Sequence, residues 1–143
     1  MLKGIPSIIS PELLKVLMEM GHSDELVFAD GNFPAASHAV RLIRCDGHSI
    51  PELLEAVLQL FPLDQYVDKP AALMGVTPGD TVQTPIWDEY KQIVNKHAGD
   101  ADCFEEIERF AFYERAKRAY AIVATGEKAL YANLIIKKGV VVE

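Results

Sequence analysis

Leu13, Leu14, Leu17 and Met20 recur at helical spacing, behind a Ser10-Pro11 start in which the serine can accept an orphan backbone N–H and the proline forfeits none. Gly21 is placed to end that helix in the left-handed conformation. Glu25 to Ala29 reads as a buried strand that runs into a loop at Asp30-Gly31-Asn32-Phe33-Pro34. Val40 to Ile43 predicts a second strand and Asp46-Gly47 a turn. Ser49 with Glu52 predicts a capping box for a helix whose buried face is Leu53, Leu54, Val57, Leu58 and Phe61, stopped by Pro62.

Pro70 to Val76 reads as a third strand, closed by Pro78, Gly79 and Asp80. From Pro85 a helical face of Ile86, Tyr90, Ile93 and Val94 follows, up to a break at Gly99-Asp100. Ile107 to Ala116 predicts a helical turn and helix. Tyr120 to Ala124 and Asn133 to Ile136 are short apolar strands separated by Thr125-Gly126-Glu127, and Gly139 to Val142 is a candidate final edge. This alternation predicts one α/β domain over residues 1–143, a three-layer α/β/α sandwich around a mixed central sheet. The length suits a single core, and no repeat, low-complexity tract or linker divides it.

Half of the residues are apolar and 24% are charged, as in an ordinary globular chain. A net charge of -7 opposes nucleic-acid phosphates, and the basic pairs Lys117-Arg118 and Lys137-Lys138 are too short for a binding stripe and read as solvated element ends. Cys45 and Cys103 lack CxxC spacing and read as buried thiols. No secretory leader and no run of about eighteen apolar residues is present, so a cytosolic protein with no membrane partner is expected.

Chemistry must then come from loops at strand ends. His22, in the loop after the first helix, is a candidate proton carrier because an imidazole of pKa about 6.5 is available in both states at neutral pH; it equally suits a helix C-terminus. Asp30 ends a strand, where open α/β sheets place ligand-binding carboxylates, though Asp-Gly is also ordinary turn chemistry. Arg109 lies among Phe104, Ile107, Phe110, Phe112 and Tyr113, ready to bind hydroxyls or to pair with Glu106, Glu108, Asp100 or Asp102. Tyr131-Ala132-Asn133 offers a phenol, a backbone amide and a carboxamide for sugar hydroxyls, or for a turn. His22, Asp24, His38, Asp46 and His48 could ligate a metal, but their spacing matches no metal motif. There is no GxSxG elbow, and Ala124-Thr125-Gly126-Glu127 is not a phosphate loop.

Taken in order, several segments resemble the fucose mutarotase and ribose pyranase family. They are Leu2 to Gly4, Ile9 to Leu14, Met20 to His22, Phe28 to Asp30, Asn32 to Pro34, Arg44 to Gly47, Arg109 to Ala116, Ala124 to Glu127, and Tyr131 to Asn133 ahead of Lys138-Gly139. The likeness spans nearly the whole chain and is looser between Pro62 and Asp102. It implies opening and reclosure of a sugar hemiacetal with no cofactor and no metal. His22 is then the proton donor, Asp30 the carboxylate after the first strand, Arg109 the sugar-binding arginine, and Tyr131, Ala132 and Asn133 the remaining sugar contacts. Tyr131 would help at the anomeric oxygen.

The Phe110 to Ala116 run resembles the fucose branch, which implies exchange between the α and β anomers of L-fucose. Pyranose–furanose exchange of D-ribose and a non-catalytic sugar-binding subunit are the alternatives. Family membership also implies a homo-oligomer, from dimer to ring-shaped decamer, with pockets near subunit contacts that Phe110, Phe112 and Tyr113 could line.

Overall fold

The Ser10 side chain accepts the Leu13 N–H at 3.1 Å in the computed structural model, which describes residues 1–143, and helix α1 runs Pro11–Glu19. Its end differs from expectation. Gly21 is not left-handed; Ser23 takes the positive φ of 76° instead. The orphan carbonyls of Leu17 and Met20 are met by the Lys138 ammonium, so this lysine is a helix cap rather than a solvated end.

Strand β1 (Glu25–Ala29) matches the expected run. Helix α2 (Ala35–His38) is a single unpredicted turn, and β2 (Leu42–Cys45) lies two residues beyond the expected strand. Helix α3 (Ile50–Leu58) opens with the Glu52 carboxylate accepting the Ser49 N–H at 3.2 Å, and stops before Phe61 and Pro62. Strand β3 (Ala71–Met74) precedes α4 (Pro85–Ala98), which Gly99 ends at a φ of 72°.

Strand β4 (Phe104–Ile107) lies just ahead of the expected helix and takes Ile107, that helix's expected first residue, as its own last. Its two central residues are Glu105 and Glu106, which carry no strand signal; Arg115 neutralises Glu105 at 2.7 Å and also grips Glu25. Glu108 caps α5 (Arg109–Arg118) by accepting the Phe110 and Ala111 N–H groups, which hold its carboxyl below the usual range. Strands β5 (Ala121–Thr125) and β6 (Leu134–Lys137) complete the sheet, and no strand forms over Gly139 to Val142.

The sheet order is β2-β5-β1-β6-β3-β4, with β6 antiparallel to both neighbours and every other pairing parallel. Alternation along the strands sends Leu26, Phe28, Leu73 and Val123 to one face with α1, α3 and α4. Val27, Ala29, Met74 and Ile122 go to the other with α2 and α5. Cys45 and Cys103 are both buried and free. The result is the three-layer α/β/α sandwich with a mixed sheet.

This topology defines two rims. The C-terminal ends of β1, β2, β3, β4 and β5 share one rim with the N-terminal end of antiparallel β6. The start of β1 and the end of β6 share the other, where Ser23 N–H meets Lys138 C=O at 2.8 Å.

Candidate active site

Asp30, Ala132 and Asn133 converge on the first rim. The Asn133 side-chain oxygen accepts the Asp30 N–H at 2.8 Å across the β1–β6 junction, and its two-proton NH₂ can face both the Asp30 carboxylate and a ligand. The Asp30 carboxylate accepts the Asn32 N–H at 2.9 Å. Burial pushes this carboxyl above the ordinary 3.8 and the Glu127 charge adds to the rise, against lowering by hydrogen bonds from Asn32, Phe33 and Asn133.

The Thr125 to Glu127 turn holds this loop rather than a ligand. Thr125 Oγ1 donates to Ala29 C=O at 2.7 Å, and Glu127 C=O accepts the Gly31 N–H at 2.9 Å. Gly126 has to be glycine because a Cβ there would sit 2.1 Å from the Asp46 carbonyl oxygen.

Tyr131 has a φ of 55°, uncommon for a bulky residue and worth of order 1 kcal/mol of strain. Two side chains of α4 hold it there: Trp87 Nε1–H donates to Tyr131 C=O at 2.8 Å, and the Tyr90 hydroxyl donates to Ala132 C=O at 2.7 Å. Burial drives the Tyr90 phenol far above its ordinary range, so it stays protonated. Sequence reasoning read Tyr90 only as core, because its polar role depends on the β6 loop lying over α4.

The Tyr131 hydroxyl donates to Asp80 at 2.6 Å, beside the Thr77 N–H at 3.4 Å. Thr77 and Arg109 line one cavity of about 370 Å³ between the ends of β3 and β4. Arg109 is exposed and makes no ion pair; its guanidinium stacks 4.5 Å from the Phe110 ring centroid. Phe110 is 60% exposed, whereas Phe112 is fully buried and cannot line a subunit contact. Tyr113 packs against Phe33 and His38 on the thinner face.

His22 is on the opposite rim. The five residues of β1, at about 3.3 Å each, separate it from Asp30 by ~16 Å within one chain. Its side chain is 42% exposed, with Nε2 3.1 Å from Oδ1 of Asp64, whose side chain is 1% exposed. Asp64 Oδ1 also accepts the Tyr66 N–H at 3.0 Å, and Oδ2 has no partner. Sequence reasoning missed Asp64, because only the Leu63–Lys138 bridge brings it to His22. No three His, Cys, Asp or Glu side chains converge as a ligand set.

The model of the RbsD / FucU transport protein family matches residues 3–141. A fucose mutarotase of Danio rerio is 58% identical over 146 residues, covering 98% of this chain and 94% of that protein. Two crystal structures superpose closely. FucU from Bifidobacterium longum is 60% identical with a TM-score of 0.96, covering 98% of this chain and 100% of that one. The fucose mutarotase from Streptococcus pneumoniae in complex with L-fucose is 57% identical with a TM-score of 0.94, covering 99% and 100%.

Proposed function

Since the chain belongs to the RbsD / FucU transport protein family, we infer that it is an isomerase acting at the anomeric centre, interconverting the α and β anomers of L-fucose. The observation that carries this reading is identity above one half, over nearly full length, to proteins named for that activity, one of them in complex with the sugar. The chemistry asks only for removal of the anomeric hydroxyl proton and delivery of a proton to the ring oxygen. Positioned side chains suffice for that.

In this reading Asp30 orients the sugar, Arg109 and the Asn133 amide grip the distal hydroxyls with the Ala132 backbone beside them, and Tyr131 meets the anomeric oxygen. His22 protonates the ring oxygen. Asp64 holds the proton on Nε2, which turns Nδ1 toward the sugar.

His22 and Asp30 act together only if two copies share a site, the His22 rim of one facing the Asp30 rim of the next. Such a contact joins different surfaces, so it propagates head to tail and closes as a ring. A homo-oligomer is thus part of the mechanism proposed here, with the subunit number left to ring geometry. No helix is long and apolar enough to cross a membrane, and with two buried free thiols the cytosol is the compartment we propose.

Saturation-transfer NMR on the anomeric protons of L-fucose tests the activity. Faster α–β exchange with protein is expected, and no acceleration of fucose alongside faster exchange among the forms of D-ribose would overturn it. A second expectation concerns pH. If Asp30 acts as the carboxylate, the acid limb of the exchange rate sits above the 3.8 of an unperturbed aspartate, because burial favours its neutral form. Activity is then lost as pH falls through the raised value. The limb should disappear from the residual rate of Asp30→Asn, and an unmoved limb would assign it to another group.

A further inference from the structure

Tyr131 carries one phenolic proton and two lone pairs, and the structure commits the proton. Its hydroxyl donates to Asp80 Oδ2 at 2.6 Å, in the range of a charge-assisted O–H···O⁻ bond. Asp80 is itself fixed by the turn it sits in, accepting the Val82 N–H on Oδ1 at 3.0 Å while its own N–H donates to Thr77 C=O at 3.0 Å. The Thr77 N–H approaches the phenol oxygen at 3.4 Å, a second donor toward the same atom. Everything the chain places around this oxygen leaves it one free capacity, an acceptor lone pair.

We propose that Asp80 is a positioning residue for anomer exchange, which by binding the Tyr131 proton makes Tyr131 an acceptor for the sugar's anomeric hydroxyl. The proposal rests on the reading that Tyr131 faces the anomeric oxygen. Both closed anomers have a hydroxyl at C1 that can donate, whereas the open aldehyde has none. Tyr131 therefore accepts from the C1 hydroxyl while the ring is closed. Once the proton has passed, it faces the aldehyde as a single neutral O–H donor, a bond that breaks as the aldehyde turns about its bond to C2 and re-forms before reclosure.

The step balances. As C1=O forms, the anomeric O–H proton passes to the Tyr131 oxygen while the phenolic proton passes to Asp80 Oδ2. The C1–O5 electron pair goes to O5, which takes a proton from His22. Reclosure on either face of the carbonyl runs the same transfers backward, so enzyme and protons return to their starting state.

Two consequences separate this role from simple support of the Gly75 to Thr84 loop. Asp80 acts on rate more than on affinity, and it acts only through the Tyr131 hydroxyl. Asp80→Asn and Asp80→Ala are expected to lower kcat for fucose exchange by at least roughly tenfold, with KM within about threefold of wild type, and Asp80→Glu to recover part of the rate. In a Tyr131→Phe background, Asp80→Ala should add nothing further.

The cycle is measured by NMR exchange on variants with wild-type circular dichroism and oligomer size. Full additivity of the two substitutions, or a rise in KM with kcat unchanged, would overturn the role of Asp80 and leave the sugar site standing. Tyr131→Phe at wild-type kcat would remove Tyr131 from the reaction, and the Asp80 proposal with it.

Discussion

His22→Ala is expected to slow fucose anomer exchange by about a hundredfold to ten thousandfold, the range lost when a positioned general acid is removed. The fold should survive, because His22 lies in an exposed loop and its one side-chain hydrogen bond is to Asp64. The substitution does leave Asp64 nearly buried with the Tyr66 N–H as its remaining partner, so some stability is lost with the rate. His22→Gln isolates the chemistry: its amide can still donate to Asp64 but cannot carry a proton to a ring oxygen. Equal loss in the Ala and Gln variants, at wild-type thermal midpoint for Gln, assigns the effect to proton delivery. Arg109→Ala should instead raise KM, since its guanidinium makes no ion pair within the chain and is free to grip hydroxyls. A His22→Gln enzyme exchanging fucose at the wild-type rate would remove His22 from the mechanism.

The elements that could be read in the sequence are those whose burial is one-sided or complete. The Leu-Val-Phe-Ala run gives β1 because all four side chains are buried in a central strand, and the Pro85 start with its apolar stripe gives α4 because one face alone meets the core. Edge strand β4 hides because its centre is charged: Glu105 is met by Arg115, a partner ten residues on that no local pattern announces, and Glu106 is exposed to solvent. Helix α2 is one turn long, too short for a period.

The site divides in the same way. Asp30 and Asn133 stand next to strand ends, so the topology delivers both to one rim once β6 is known to run antiparallel. His22 and Asp30 stand eight positions apart in the sequence, which suggests neighbours, yet the residues between them span a strand and put the two at opposite rims. Asp64, Asp80, Trp87 and Tyr90 act by holding other residues, and such roles depend on contacts formed only after the sheet and α4 are in place.

That separation yields the second large effect, which is a gain. Mixed oligomers of His22→Ala and Asp30→Asn should recover activity well above the residual rate of either variant alone. If the site were built within one chain, every chain in the mixture would lack either His22 or Asp30, and mixing would restore nothing. If the His22 rim of one copy completes the Asp30 rim of another, random assortment of equal amounts gives both intact halves at about one site in four. The measurement is NMR exchange on the two variants co-expressed, or unfolded and refolded together, against the same proteins merely combined after folding. Recovery near a quarter of the wild-type rate, only in the co-assembled sample, would place the reaction between subunits. No recovery from mixtures whose wild-type oligomer size is verified would return it to a single chain, where His22 and Asp64 form a cluster apart from Asp30.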